Sequence, residues 1–471
     1  MTTIYLSEGG SAELFSYSGN ISIKVTGSSH SPEISCTVSG LPAGFSVDPE
    51  QLAAFTARRA PGVALSSARR EADVPIFTSG LHGWVTDGAP LTIIIKNTDV
   101  KSHDYDDLRG IPRPGHADLP AYVKNGAGFD MSGGGEFSGR MTAPITAAGG
   151  VVLQILRKMG ITVSAHLLSV GGIDDVPFVG SGPFIDECTA CRSHILPMIN
   201  ESAAHNAAAL ISDIKRDGNS VGGVVECAVC GLGVGMGGAG FGGIDGRIAY
   251  FEYAVPGVKG VEFGNGFASS RLTGRENNDR IVTDGVYAET ESNRCGGVLG
   301  GMSTGSPIVF KVAFKPTPSI SALQDTVDLT TMTPTRISIN GRHDPCIAVR
   351  AVPVVEAMAA LAVYDVLCGE ESPQNNDDLC NMRSEIDRLD RKISELLRAR
   401  FNVSKRIGEY KRNGNMPVTD KTRETELLKK IGSCGGDDAE NNERIERVYG
   451  SILSESRKLQ EGIICDGKST H

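Results

Sequence analysis

SELLRARFNVSKRIGEYK, residues 394–411, reads as an amphipathic helix interrupted by one cation. Alternating steps of four and three from Met382 pass through Ile386, Leu389, Ile393, Leu396, Arg400, Val403, Ile407 and Tyr410. That is the spacing of a seam one helix presents to another. Lys411 lies eleven residues beyond Arg400, about 20° away around a helix axis, so two cations point into one region. Arg400 either sets register in a coiled coil, a common use of a polar seam residue, or meets an anionic ligand with Lys411, because burying both unpaired is costly. A helix from about Leu379 to Arg412 would run roughly 50 Å. A lone small domain cannot bury that length, so the seam implies a partner helix from a second chain and hence a dimer.

Immediately upstream, CGEESPQNNDD (368–378) is polar and has the composition of a linker. Before it the chain is rich in glycine, with strand-like LTIIIKN (91–97) and IVFKVAF (308–314) and helix-like AAGGVVLQILRKMG (147–160). The expected organisation is a mixed domain over 1–368, a linker over 369–378 and a helical domain over 379–471, an α+β protein. A length of 471 residues with 40% apolar and 22% charged residues suits a soluble protein of two or more domains. MTTIYLSEGGS at the amino terminus lacks the basic and apolar regions of a signal peptide, so a cytoplasmic location is expected. Pro353, Glu356 and Asp365 interrupt the apolar run 351–368, favouring a buried helix over a membrane span. A net charge of −10 disfavours nucleic acid as partner but permits local basic pockets for small anions.

Eleven cysteines include the pairs Cys188/Cys191 and Cys227/Cys230. The pairs are far apart for a zinc ribbon, and VGGVVECAVCG reads as a buried strand, in which side chains three apart point to opposite faces. No metal site is expected; reduced, mostly buried thiols are. The run Gly233-Val-Gly235-Met-Gly237-Gly238 has the form of a dinucleotide fingerprint, but AGFGGIDG after it is a poor helix opener, and no GxxxxGK[ST] occurs.

Several clusters couple a chain-bending residue to a charged one: GSSHSP (27–32), RRAPG (58–62), RPGHAD (113–118), GGGEFSGR (133–140), KPTPS (315–319) and GRHDPC (341–346). Together they supply guanidinium and ammonium groups for a polyanion, histidines able to exchange protons near neutrality, and a carboxylate. Physical reasoning alone reaches an anionic small-molecule site.

The order and wording of these clusters, with SGLPAG, VKGVEFG, GGVLGG and RAVPVVEAMAA, resemble chorismate synthase from about residue 18 to 368. The resemblance implies a β-α-β sandwich, a homotetramer, and elimination of phosphate and a proton from 5-enolpyruvylshikimate 3-phosphate to give chorismate with reduced FMN (FMNH2). By motif, His30 would protonate the departing phosphate, His116 would serve the flavin ring, and Asp344 would assist proton removal. Arg59, Arg113, Arg140 and Arg342 would bind the substrate's anionic groups. Ser29, Glu136, Phe137, Ser138, Pro256, Gly257, Gly300, Lys315, Pro316, Thr317, Pro318, Ser319 and Arg342 fall on flavin-contacting segments. Ser28 and Ser31 depart from the family's GESHG, Glu136 stands where arginine is common, and Leu65 replaces an arginine of some members.

The helical segment from about 376 to 462 is similar to the all-helical chorismate mutases, whose intertwined dimers convert chorismate to prephenate. That rearrangement needs a folded substrate conformer and compensation of charge on the ether oxygen. The resemblance gives Arg383 and Arg400 the carboxylates, and Lys411 and Gln460 the ether oxygen. Asp420, Arg423, Glu424 and Ser456 would position the remainder. The expected protein is thus a bifunctional shikimate-pathway enzyme of aromatic amino acid biosynthesis. Alternatives are a synthase whose last helices only dimerise, and a flavin-binding protein without turnover.

Overall fold

The computed structural model describes residues 15–60, 65, 73–97, 110–126, 133–178, 184–283, 285, 288–339, 343–370, 378–414, 416–418, 421–432 and 439–466. The chain divides into two compact units, Met1–Glu371 and Ser372–His471. In the first, the helices are α1 (Pro49–Ala57), α2 (Asp118–Asn125), α3 (Thr142–Lys158), α4 (Ile185–Cys191), α5 (Glu201–Arg216), α6 (Ile244–Tyr253), α7 (Gly274–Asn277) and α8 (Ala348–Gly369). The second holds α9 (Asp378–Asn413), α10 (Lys421–Gly432) and α11 (Ala439–Asp466).

Two antiparallel five-stranded sheets frame the first unit. One runs Phe15–Ser18, Ser22–Gly27, Glu33–Ser39, Leu91–Lys96, Ile76–Ser79 in spatial order. Its pattern is alternation: Ile23, Val25, Ile34, Cys36, Val38, Leu91, Ile93 and Ile95 are buried, as a period of two requires when one face meets the core. The other runs Val258–Phe263, Ile308–Phe314, Gly223–Cys230, Thr162–Val170, Ile173–Asp174. Its central strands are buried almost continuously, because Ala228 and Val309 face a second apolar cluster with Phe178, Phe184 and Cys188 on the far side.

Between the sheets lie α3 and α8, packed on one another; α3 touches both sheets, and α8 packs on the second and is bonded to the first through Asp365 and Tyr17. This is the expected sandwich. The α3 and α8 backbones approach closely at Gly149, where an added Cβ would lie 2.4 Å from Ala357 Cβ. α3 extends beyond the expected start to Thr142, since Pro144 is harmless in a first turn. It ends before Gly160, whose φ of +79° breaks the helix. α8 is long and apolar enough to cross a membrane by composition, yet 89% of its most apolar window is buried in the protein. Its two carboxylates are tied to neighbouring elements. Glu356 accepts from Arg58 at 2.5 and 3.0 Å and from the Ala165 amide at 2.9 Å. Asp365 accepts from Tyr17 Oη at 2.7 Å and the Ile21 amide at 2.8 Å.

Cys188 and Cys191 sit on α4, Cys227 and Cys230 on the strand Gly223–Cys230. Burial pushes the Cys191 thiol up to about 11 and those of Cys188 and Cys227 further. Among the described residues no three His, Cys, Asp or Glu side chains gather to hold a metal. The glycine run places Val234–Gly237 in a short strand paired with Met302–Thr304. A helix does open at Ile244, where the sequence was read as unfavourable, but only after a 3-10 turn at Gly240–Gly242 separates it from the fingerprint glycines.

In the second unit α11 packs on both α9 and α10. Ser404 is buried on α9, and an added Cβ at Gly408 would lie 3.2 Å from Gln460 Cα on α11. Ile386, Ile393, Leu396, Val403, Ile407 and Tyr410 are 42% to 70% exposed. Those positions of the seam read from sequence thus form an apolar stripe left exposed among the described residues.

Candidate functional site

A cavity of about 530 Å³ opens in the first unit, lined by residues from all six polar clusters and from the loop after α6. The first cluster is built by the turn that leaves Ser22–Gly27. Ser28 and Ser31 brace it reciprocally: the Ser28 amide donates to Ser31 Oγ at 2.8 Å and the Ser31 amide to Ser28 Oγ at 3.1 Å. Ser29 and His30 stand at the tip. Ser29 lines the cavity, with its Oγ buried and without a hydrogen-bond partner. His30 does not line it; its ring lies behind Gly133, where an added Cβ would come within 2.4 Å of Nε2. Only glycine fits there.

The arginines divide into two groups. Arg59 and Arg140 converge on Asp73, a buried carboxylate whose role no motif signalled. Arg59 Nη1 donates to Asp73 Oδ2 at 2.6 Å and Arg140 Nη1 to Asp73 Oδ1. Arg59 also donates to Thr142 Oγ1 at 3.1 Å and the Gly139 carbonyl at 2.8 Å. Burial pulls its guanidinium down to about 9 against the opposing pull of Asp73, so it remains a cation at neutral pH. Arg113 instead grips Asp118, with Nε and Nη2 each 2.7 Å from its oxygens. Ser319 Oγ accepts from Arg113 Nη1 at 3.3 Å. His116 Nδ1 lies 2.6 Å from Asp118 Oδ1. Asp73 thus anchors Arg59 and Arg140, and Asp118 anchors Arg113 and His116.

Asp344 is held beside Arg59 by Arg350, whose Nη1 donates to Asp344 Oδ2 at 2.7 Å and whose Nε donates to the Arg59 carbonyl at 2.9 Å. Thr317 Oγ1 donates to the Asp344 carbonyl at 2.8 Å, joining the KPTPS and GRHDPC segments. Lys315 Nζ donates to the Gly115 carbonyl, and partial burial, with Lys259 nearby, lowers its pKa. Phe137, Ser138, Pro256, Gly257, Thr317, Pro318 and Ser319 also line the cavity. Among the lining residues stand the fixed cations Arg59, Arg113, Arg140, Lys259, Lys315 and Arg350 against the carboxylate of Asp344. Apolar Val255, Phe314, Ile347 and Val354 supply the rest of the wall.

Some expected residues stand elsewhere. Glu136, half-buried in the turn Gly135–Phe137, Pro316, and Gly300, in the turn after Val298–Leu299, do not line the cavity. Leu65 packs against the hydrophobic core. Arg342 and Asp420 lie outside the described residues. Asp73, Asp118, Lys259, His343 and Arg350 were not singled out from sequence; all but Asp73 fall within quoted motifs, whereas Asp73 had no local signal.

In the helical unit, Arg400 turns towards α11 and donates to Ser456 Oγ, whose hydroxyl donates to the Ile452 carbonyl at 2.8 Å. Lys411 Nζ donates to the Val418 carbonyl at 2.6 Å. Gln460 is 8% exposed, one turn beyond Ser456, and its side-chain oxygen is buried without a partner. Glu424 lies 3.7 Å from Arg457. Arg423 projects outward, 74% exposed, beside Glu426. Arg383 lies on α9, in the second turn from its start.

Comparison with known proteins gives the following likenesses. The family model for chorismate synthase matches residues 21–368, and that for chorismate mutase type II matches 382–461. A chorismate synthase of Lancefieldella parvula is 40% identical over 367 residues, 75% of this chain and 96% of the relative. One from Korarchaeum cryptofilum is 41% identical over 343 residues, 72% of this chain and 93% of the relative. A crystal structure of chorismate synthase shares 25% identity at a TM-score of 0.58, covering 74% of this chain and 91% of that one.

Proposed function

The chain belongs to the chorismate synthase family, and from that premise we propose that it is a bifunctional enzyme. Its first unit would eliminate phosphate, in the trans-1,4 sense, from 5-enolpyruvylshikimate 3-phosphate to give chorismate; its second would rearrange chorismate to prephenate. The observation that carries the first half is an inversion of sign: a chain of net charge −10 lines one cavity with arginines and lysines. Asp73, Asp118 and Asp344 offset part of that charge, and the positive excess that remains favours a multiply charged anionic substrate.

The same cavity fits FMN. Its volume is that of a cofactor site, its apolar wall suits a planar ring, and Ser29 Oγ is an orphaned polar atom that a bound group would satisfy. Ser138, Pro256, Gly257, Lys315 and Thr317 to Ser319 would hold it. Reduced FMN, when bound, would lend electron density to the elimination and recover it. His116 would accept and return a proton on the cavity side, Asp344 would receive one under the control of Arg350, and Arg113 would orient the substrate's anionic groups. His30 would reach the departing phosphate past Gly133.

For the second reaction, Arg400, Lys411 and Gln460 offer two cations and a buried amide to one small dianion, with Ser456 bracing Arg400. The exposed stripe on α9 supports a second copy as the covering surface, and the synthase resemblance supports assembly to a tetramer. A stripe of this kind also suits helices that only dimerise. Turnover separates the readings. The whole chain, given 5-enolpyruvylshikimate 3-phosphate and reduced FMN without oxygen, should form chorismate and then prephenate. Chorismate accumulating with no prephenate would leave only dimerisation to the helices. No chorismate would remove the synthase.

A further inference from the structure

His116 Nδ1 faces two groups at once, and they demand opposite tautomers. Asp118 Oδ1 lies 2.6 Å away and can only accept when ionised; Arg113 Nη2 lies 3.2 Å away and can only donate. If Arg113 donated to a bare Nδ1, that nitrogen's lone pair would sit 2.6 Å from a carboxylate lone pair, an unsatisfied repulsive contact. Arg113 does not need His116. Its Nε and Nη2 already reach Asp118 at 2.7 Å each and its Nη1 reaches Ser319.

Asp118 is built to stay a carboxylate. It is 2% exposed, opens α2, and also accepts from the Arg113 backbone amide at 3.0 Å. The Arg113 and His116 hydrogen bonds outweigh burial and hold its pKa well below the usual carboxylate range. The helix amino terminus adds to this.

We propose that Asp118 is a positioning residue for the elimination: it accepts the Nδ1 proton of His116, fixes the ring, and leaves Nε2 as the nitrogen that exchanges a proton in the cavity. This rests on the functional reading above. Neutral His116 then presents a lone pair at Nε2. A proton arriving from a group in the cavity gives an imidazolium whose charge Asp118 balances, and its return restores the same tautomer. Without Asp118, Arg113 would favour the opposite tautomer, and the cavity would meet an N–H where a lone pair is required.

The test uses the full chain. With ¹⁵N-labelled histidine, and His116 assigned by loss of its signals in His116→Gln, the neutral ring should carry its proton on Nδ1. A proton on Nε2 would overturn the proposal in the wild-type protein, without recourse to a variant. Asp118→Asn should lower kcat for chorismate formation by about a hundredfold or more, with KM within about threefold, and should leave prephenate formation from added chorismate unchanged. A kcat within about threefold of wild type would also overturn it, as would a loss confined to KM. If wild type makes no chorismate, the functional reading falls and the nitrogen shifts alone decide the tautomer. If the variant does not fold, the same measurement decides.

Discussion

Glu252 is the residue whose burial has no evident compensation: it is 0% exposed on α6, and neither carboxyl oxygen has a hydrogen-bond partner. Burial pushes its pKa well above the usual carboxylate value, so the folded chain keeps a proton that the unfolded chain has lost. The folded state then binds more protons over the range from about pH 4.5 upward to the raised value, and stability falls as pH rises through it. The steepest contribution is about 1.4 kcal/mol per pH unit. Glu252→Leu should flatten the dependence of urea midpoint on pH between 5 and 8 and raise the midpoint at pH 8; an unchanged slope would show the carboxyl has found a partner. Residues of this kind mark the limit of sequence reading. His116, Arg59, Arg113 and Asp344 announce themselves because each sits beside a turn-forming proline or glycine. Asp73 and Asp118 act through other side chains: Asp118 holds Arg113 and His116 of its own motif, whereas the partners of Asp73 are fixed only when distant segments meet. Arg59 and Asp73, for example, are joined at 2.6 Å across a tertiary contact no spacing rule encodes.

Elements were more legible than their partners. Alternation in Leu91–Lys96 and the near-continuous apolar run in Ile308–Phe314 reveal the strands directly. α9 occupies Asp378–Asn413 against an expected span of about 379 to 412, because its heptad pattern is long and free of proline. What periodicity could not reveal is which face of α9 meets which neighbour. Arg400 shares the apolar heptad positions, yet it turns to Ser456 on α11 while Leu396 and Val403 stay exposed. The α3–α8 crossing makes a prediction at this scale. An added Cβ at Gly149 would meet Ala357 Cβ at 2.4 Å and its Cα at 2.7 Å, and both belong to a core helix that cannot yield locally. Gly149→Ala should therefore destabilise the first unit by roughly 1–3 kcal/mol despite alanine's better helix propensity. Equilibrium urea unfolding checks it, and an unchanged or higher midpoint would mean the helices can separate without cost.

At the scale of the whole molecule, the arrangement of cations along α9 forces a choice between one chain and two. Arg383 and Arg400 are seventeen residues apart on one helix, some 25 Å along the axis and roughly 100° around it, so one chain cannot easily aim both at one small dianion. A symmetric dimer through the exposed stripe would let the partner subunit's Arg383 complete a site holding Arg400 and Lys411. Both Arg383→Ala and Arg400→Ala should then abolish prephenate formation while sparing chorismate formation in the other unit. Mixing them restores function: each heterodimer has one doubly damaged site and one intact site. Random exchange makes about half of all dimers mixed, so about a quarter of all sites should recover. If the last helices only dimerise, no sample forms prephenate, wild type included. A site built within one chain recovers nothing on mixing, and that outcome, with subunit exchange demonstrated by mass-labelled chains, would overturn the shared site while leaving the mutase itself intact.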